Sequence, residues 1–480
     1  MTFATVGKQR KNTILENVLV QDYAAEGKSL SRVDGKVIFI EGAVPGDIVD
    51  IRLSKNKSDW AEGQAIQIKT PSPTRVTPFC SHFGVCGGCQ WQMLPYEQQL
   101  VYKQKQVTDN LQRIGRISLP SISPIIGADA TTGYRNKMEY TFATRKFIPA
   151  DEFQQMKAAG LSWESQPGAA GFHVRGFFDR VVEIDTCYLQ EEPTNQLRKA
   201  AARFAIEEGL PFYDIKQHQG WLRNMLVRNT TTGELMVNLV FGYEDAGARK
   251  KLLDQLLHDF PQITTLLYTI NTKKNDSLYD LDPKVYHGKG YIIETLEDFR
   301  FKISPKSFFQ TNTRQAEKLY KVTRDFAELD GSQVVYDLYC GTGSIGIFVS
   351  KGAQKVVGVE AVADAIADAK ENAQLNGLAH TAFFTGDVID ICDDAFFTTH
   401  GQPDVVITDP PRAGMHEKLV KKLLDIAAPT VVYVSCNPAT QARDLGLLDE
   451  KYRVEKIQPV DMFPHTLHIE NVVQLKLKDQ

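Results

Sequence analysis

Hydrophobic positions along the first 70 residues come in short bursts broken by turns. Val33-Asp34-Gly35-Lys36 leads into Val37-Ile38-Phe39-Ile40, and Pro45-Gly46-Asp47 leads into Ile48-Val49-Asp50-Ile51-Arg52-Leu53. Short apolar runs with turn signals every ~8–12 residues and no helical period predict a small β-barrel over 1–70. Pro71, Pro73 and Pro78 mark a linker after it. Over 95–115, Tyr96, Leu100, Val101, Val107, Leu111 and Ile114 approximate one apolar stripe, which predicts a helix. Strand-like runs such as Met236-Val237-Asn238-Leu239-Val240 alternate with shorter helical patterns, so 71–300 reads as a central α+β domain. Within it, 150–170 is rich in Gln, Ala, Gly and Ser and reads as a loop or surface insertion.

The texture changes at about 301. Val334-Val335-Tyr336-Asp337-Leu338-Tyr339 and Lys355-Val356-Val357-Gly358-Val359-Glu360 are strand-like, and helical patterns cover 362–376 and 415–427. Further strands are predicted at 382–386, 404–408 and 431–435. Strands alternating with helices of this length predict an α/β domain over 301–480, with a doubly wound, mostly parallel sheet. No helix separates the strands expected near 452–458 and 469–477, so an antiparallel hairpin closes the edge.

Composition supports three domains in 480 residues, at ~150 residues each. Apolar content of 42% and charged content of 24% are those of a globular protein. No run of about 18 apolar residues suggests a membrane span. The N-terminus lacks the apolar core of a signal peptide, which points to the cytoplasm. Net charge is −4, but residues 1–137 carry 17 Lys and Arg against 12 Asp and Glu, whereas 337–480 carry 13 against 20. A polyanion would be gripped mainly by the front of the chain.

Seven cysteines stand at 80, 86, 89, 187, 340, 392 and 436. An odd number without an export signal is not a disulfide framework. Cys80-x5-Cys86-x2-Cys89, with Cys187 downstream, supplies four thiols. These suit zinc or a [4Fe–4S] cluster, and spacing alone favours zinc. Cys340 and Cys392 read as buried filler.

In Asp337-Leu-Tyr-Cys-Gly-Thr-Gly-Ser a strand meets a Gly-rich turn and a helix, which lets backbone approach a nucleotide-like ligand. Glu360, 17 residues after Gly343, stands where a carboxylate accepts both ribose hydroxyls, and Asp387 ends the third strand beside the expected adenine position. Asp409-Pro410-Pro411-Arg412 and Ser435-Cys436-Asn437-Pro438 end the next two strands in the same crevice. Cys436 at such a strand end is placed as a nucleophile. In Pro464-His465-Thr466-Leu467-His468-Ile469-Glu470-Asn471 a carboxylate and two histidines offer acid/base chemistry, though an extended His-x2-His-x-Glu suits tetrahedral zinc poorly.

These signatures, with Ser304-Pro305-x-x-Phe308-Phe309-Gln310-Thr311-Asn312, run in order over about 170 residues. Together they resemble the RNA uracil-5 methyltransferases, which make 5-methyluridine with S-adenosylmethionine. The resemblance implies a Rossmann-like methyltransferase domain in which Gln310, Tyr339, Glu360 and Asp409 hold S-adenosylmethionine, with Asp409 as an alternative contact to the uracil. It implies that Cys436 adds to uracil C6, so that C5 gains the electron density to attack the methyl. Glu470 then removes the C5 proton. An amino-methyltransferase would tend to carry Asn-Pro-Pro-Tyr at the fourth strand and no cysteine at the fifth. An RNA-binding protein with an inactive transferase domain is opposed by the intact Cys436/Glu470 pair.

The run Cys80-Ser-His-Phe-Gly-Val-Cys86-Gly-Gly-Cys89-Gln-Trp-Gln resembles the ribosomal-RNA branch, where these positions bind [4Fe–4S] and a segment like Asp185-Thr-Cys187-Tyr-Leu gives the fourth ligand. The N-terminal barrel resembles a TRAM domain. Barrel and cluster together imply 23S ribosomal RNA as partner, at a single-stranded or loop uridine, with the chain acting as a monomer and no membrane involved. Gly133-Tyr134-Arg135-Asn136-Lys137 sets an aromatic beside cations, a pattern suited to stacking on RNA.

Overall fold

The apolar bursts become six strands: β1 (Ile14–Leu19), β2 (Asp22–Tyr23), β3 (Ser29–Val33), β4 (Lys36–Glu41), β5 (Ile48–Asn56) and β6 (Trp60–Thr70). The computed structural model describes residues 13–162 and 168–479. The first twelve residues of the expected barrel, and the segment read against a signal peptide, therefore lie largely outside the described residues. The strand order is β1-β5-β6-β4-β3-β2, antiparallel except for β4 beside β6. Alternation sends Ile38, Ile40, Val49 and Ile51 into one interior with Val18 and Val20. Ser31 Oγ on β3 donates to the Leu19 carbonyl of β1 at 2.6 Å, bringing the sheet's ends together as a barrel requires.

Helix α1 (Tyr96–Asn110) forms where expected, but its buried ridge is Gln99, Lys103 and Val107, continued by Leu111 in the π-turn that follows. Val101 and Ile114, assigned to the apolar stripe, are exposed. Two polar residues replace them because each has a specific role. Gln99 Nε2 donates to the carbonyls of Trp91 and Leu94 at 3.1 and 3.0 Å, and Lys103 Nζ sits 5.9 Å from the Trp91 ring.

The central region holds β7 (Lys137–Ala143), α2 (Ala150–Ala158), β8 (Ala169–His173), β9 (Val181–Glu183), α3 (Thr194–Glu207), β10 (Leu222–Asn229), β11 (Leu235–Phe241), α4 (Ala246–Asp259), β12 (Thr265–Ile270) and β13 (Lys284–His287). Its sheet runs β13-β12-β11-β10-β7-β8-β9. Helix α4 makes the crossover between the parallel pair β11 and β12, as parallel neighbours require. The segment expected to be a loop at 150–170 begins instead with α2, a helix with no buried residue. Residues 163–167 of it lie outside the described residues.

The hairpin β14 (Ile292–Leu296) and β15 (Phe299–Ile303) precedes α5 (Thr313–Ala327). Then follow β16 (Val334–Leu338), α6 (Ser344–Val349), β17 (Lys355–Glu360), α7 (Ala363–Leu375), β18 (Thr381–Thr385), α8 (Val388–Ile391), α9 (Asp394–His400), β19 (Val405–Thr408), α10 (Glu417–Ile426), β20 (Thr430–Ser435), α11 (Pro438–Leu448), β21 (Tyr452–Val460) and β22 (Glu470–Leu477). The sheet order is β18-β17-β16-β19-β20-β22-β21. The first five strands are parallel, and β21 and β22 form the expected antiparallel edge.

The chain divides into two compact units. One is Met1–Gly84, Cys89–Gln106 and His465–Leu467; the other is Val85–Gly88, Val107–Pro464 and His468–Gln480. The expected central region is thus split: 71–84 and 89–106 fall in the unit of the barrel, and 107–300 falls in one unit with nearly all of the methyl-transfer region. A buried carboxylate, Glu294 on β14, helps to knit them: it accepts from Thr231 Oγ1 at 2.5 Å and Thr313 Oγ1 at 2.7 Å. Among the described residues no helix is long and apolar enough to cross a membrane.

Candidate active site

Strand order reverses between β16 and β19, so a crevice opens beyond the carboxyl ends of the parallel strands. The turn after β16 is built for close approach. Tyr339, Gly341 and Gly343 have φ of 60°, 53° and 76°, and the left-handed Tyr339 is a conformation that only a constrained site retains. A Cβ on Gly343 would meet the Phe383 ring and Ala369 at 2.9–3.0 Å, whereas one on Gly341 would meet nothing within 4 Å. One glycine is required for packing, and the other faces open space where a ligand can lie.

Glu360 ends β17. Its carboxylate accepts from Gly341 N at 3.3 Å and Val362 N at 2.9 Å, which fixes its orientation and leaves lone pairs for further donors. Asp387 caps α8, accepting from Ile389 N at 2.9 Å. Burial raises the Tyr339 phenol, with Asp387 and Glu360 adding to the effect. Asp337 Oδ2 accepts from Gly346 N at 2.8 Å. Burial pushes Asp337 up to about 7, against that N–H and with help from Asp409 and Glu360. Gln310 is buried, and its carbonyl accepts from Asn136 Nδ2 at 2.9 Å. The same Asn136 amide donates to Thr313 Oγ1 at 2.8 Å.

Cys436 follows β20 and Glu470 opens β22. Ser435 pairs with Asn471, so the next antiparallel position sets Cys436 against Glu470. Asp409 follows β19, its N–H directed at the Leu338 carbonyl at 3.4 Å. Burial first, then Glu470 and Asp409, push the Cys436 thiol up to about 11, and Arg412 opposes them. Glu470 is held well above the usual carboxylate range by burial first and Asp409 second, again opposed by Arg412. Burial raises Asp409 as well. Arg412 is the residue whose role the sequence left unassigned: it stood inside a recognised motif, but only the fold shows it to be the cation opposing this acid cluster. Its carbonyl is held by Asn437 Nδ2 at 3.0 Å and Thr440 Oγ1 at 3.2 Å.

The remaining sequence candidates lie in different settings. The two histidines before Glu470 differ in exposure. His465, at φ 64°, is buried against Gln99, whose Oε1 accepts from His465 N at 2.8 Å, while His468 is exposed beside Phe463. Tyr134 is no stacking platform, being buried with its hydroxyl donating to the Pro464 carbonyl at 2.9 Å. Among the described residues no group of three or more His, Cys, Asp or Glu is placed to hold an ion. Cys86 and Cys187 do border one apolar cluster with Val174, Val182 and Ile184. Cys187 N donates to Asn195 Oδ1 at 2.8 Å, and Cys80 N to Gln92 Oε1 at 3.1 Å. Cys340 and Cys392 are buried, as expected of filler.

Known proteins share this architecture. Residues 396–478 match the family described as tRNA (Uracil-5-)-methyltransferase, 322–431 the methyltransferase small domain, and 15–66 the TRAM domain. An uncharacterized RNA methyltransferase of Bacteroides thetaiotaomicron is 50% identical over 95% of this chain and 100% of its own length. One of Porphyromonas gingivalis is 48% identical over 95% and 98%. The crystal structure of Pyrococcus abyssi tRNA (uracil-54, C5)-methyltransferase in complex with S-adenosyl-L-homocysteine superposes with a TM-score of 0.72 at 29% identity, covering 96% of this chain and 100% of that one. With a crevice suited to a nucleoside, a thiol set against a carboxylate, and relatives matched end to end, the chain belongs to the S-adenosylmethionine-dependent RNA uracil-5 methyltransferase family.

Proposed function

We propose that this protein methylates C5 of a single-stranded or loop uridine in 23S ribosomal RNA, acting as a cytoplasmic monomer, through a covalent bond between Cys436 and uracil C6. The observation that carries the proposal is the β20–β22 register, which sets the Cys436 position against Glu470 beside Asp409. S-adenosylmethionine supplies the electrophilic methyl when bound, and Gln310, Tyr339, Glu360, Asp387 and Asp409 are the residues that would hold it. The open space over Gly341 and the oriented Glu360 carboxylate suit such a nucleoside.

The chain's own chemistry is addition, proton removal and elimination. The Cys436 thiolate adds to C6, and the displaced π electrons make C5 nucleophilic. After C5 is methylated, Glu470 takes the C5 proton, the C5–C6 double bond re-forms, and the thiolate leaves. Glu470 must be ionised at that step, and burial, with Asp409, opposes its ionisation. Arg412 is the group that opposes that burial and also favours the thiolate.

Transfer RNA is a second reading, favoured by one observation. A protein named as a tRNA methyltransferase matches 96% of this chain, so the match extends through most of the N-terminal barrel, and a barrel alone does not select ribosomal RNA. The resemblance of the run Cys80 to Cys89, with Cys187, to the ribosomal-RNA branch supports a [4Fe–4S] cluster on these four cysteines, although their spacing alone favours zinc. Mapping 5-methyluridine in ribosomal and transfer RNA, from cells with and without the protein, tests the substrate. Loss of the mark from 23S RNA is the expected result; loss only from transfer RNA replaces the substrate, and loss from neither removes the function.

A further inference from the structure

Between β8 and β9 the chain turns through Val174-Arg175-Gly176-Phe177-Phe178-Asp179-Arg180. Phe177 and Phe178 are 53% and 68% exposed, two adjacent rings left in water. Scattered single apolar residues on a surface need no explanation, but paired rings on one turn do. The turn is also well anchored. Val174 N donates to the Arg180 carbonyl and Phe177 N to the Val174 carbonyl, both at 3.0 Å. Asp179, 7% exposed, meets Lys216 Nζ at 2.5 Å and Arg145 Nη1 at 3.8 Å.

Charge around the rings is one-sided. The turn and the segments beside it carry Arg145, Lys146, Arg175, Arg180 and Lys216 against Asp179 and Asp214. Lys216 Nζ lies 5.8 Å from the Phe178 ring. Beside the turn, a small cavity of about 20 Å³ is lined by residues including Thr141, His173, Asp179, Tyr213 and Asn224. Among the described residues the buried Nδ1 of His173 has no hydrogen-bond partner. Exposed rings accept base faces whatever the base, and flanking cations neutralise phosphates.

We propose that this turn is a second RNA-binding site, separate from the uracil site, which stacks Phe177 and Phe178 on unpaired bases flanking the target. The inference rests on RNA being the substrate. Fluorescence anisotropy of the full-length protein with its RNA should show the Phe177→Ala/Phe178→Ala double variant binding about tenfold or more weakly. Its S-adenosylmethionine affinity, and its covalent adduct with a short 5-fluorouridine oligonucleotide, should match wild type. Phe178→Trp should bind as wild type does. Ultraviolet crosslinking of wild type, which needs no variant to fold, should place RNA on the peptide spanning 175–180. Double-variant binding within twofold of wild type, or crosslinks that avoid this peptide, would overturn the proposal, as would a variant that loses a protein partner and keeps RNA. A wild-type protein that binds no RNA would instead sink the proposed function itself.

Discussion

Ser435 on β20 pairs with Asn471 on β22, and that single register sets the Cys436 position opposite Glu470 across a 34-residue excursion of the chain. A slip of one residue would send one of the two side chains to the other face of the sheet. Replacing the sulfur should therefore abolish the reaction. Cys436→Ala is expected to form no covalent complex with 5-fluorouridine RNA on a denaturing gel and to lose at least about a thousandfold in methylation rate. Methylation at near wild-type rate would remove Cys436 as nucleophile.

Glu470→Gln should separate addition from release. The thiol still adds and C5 is still methylated, but nothing takes the C5 proton, so the adduct with ordinary uridine should accumulate. A denaturing gel of the variant with unmodified RNA should show a shifted band that wild type does not show at steady state. An unshifted variant with normal turnover would assign the base elsewhere.

The thiol's acidity is set by its neighbours, which gives alkylation a predictable pH dependence. Burial first, then Glu470 and Asp409, push Cys436 to about 11, so iodoacetamide labelling in the absence of RNA should rise about tenfold per pH unit from neutrality toward that value. Removing the opposing cation in Arg412→Gln should move the profile to higher pH, and Glu470→Gln should move it lower. If Arg412→Gln leaves the profile in place, Arg412 does not tune the thiol.

What the sequence revealed follows from what each signal encodes. The parallel strands were legible because strands buried on both faces are continuous apolar runs, and the crevice residues because strand ends determine where they lie. The α1 ridge was not legible, because Gln99 and Lys103 are buried for hydrogen bonds and a ring contact that hydrophobicity does not encode. Tyr134 and His465 resembled functional groups locally, and their burial depends on partners hundreds of residues away, such as Pro464 and Gln99. Arg412 lay within a recognised motif, yet its influence on Cys436 and Glu470 appears only when three strand ends converge.

Asn136 should act as a positioning residue for the cofactor. Its amide donates to the Gln310 carbonyl and Thr313 Oγ1, and its N–H donates to the Thr311 carbonyl at 2.9 Å. Two side-chain bonds at ~1 kcal/mol each would make Asn136→Ala about thirtyfold weaker for S-adenosylmethionine by calorimetry. The 5-fluorouridine adduct should still form, since Cys436 is untouched. A lowered Tm with unchanged cofactor affinity would mean that Asn136 serves stability alone.

The cysteines make the last prediction. Cys86 and Cys187 already share one apolar cluster, and two hydrogen bonds to Asn195, at 2.8 and 3.1 Å, hold the Cys187 backbone. The segment 79–92 carries three of the four thiols and little regular structure, the kind of region that a metal centre orders. Uracil methylation needs no electron, so a cluster on Cys80, Cys86, Cys89 and Cys187 would have a structural or RNA-positioning role. Protein purified without oxygen should be brown, absorb at roughly 400 nm and carry about four irons per chain. Cys187→Ser should lose iron and weaken RNA binding more than S-adenosylmethionine binding. One zinc and no iron in anaerobic protein would make the site a zinc centre, and the uracil chemistry at Cys436 would stand unchanged.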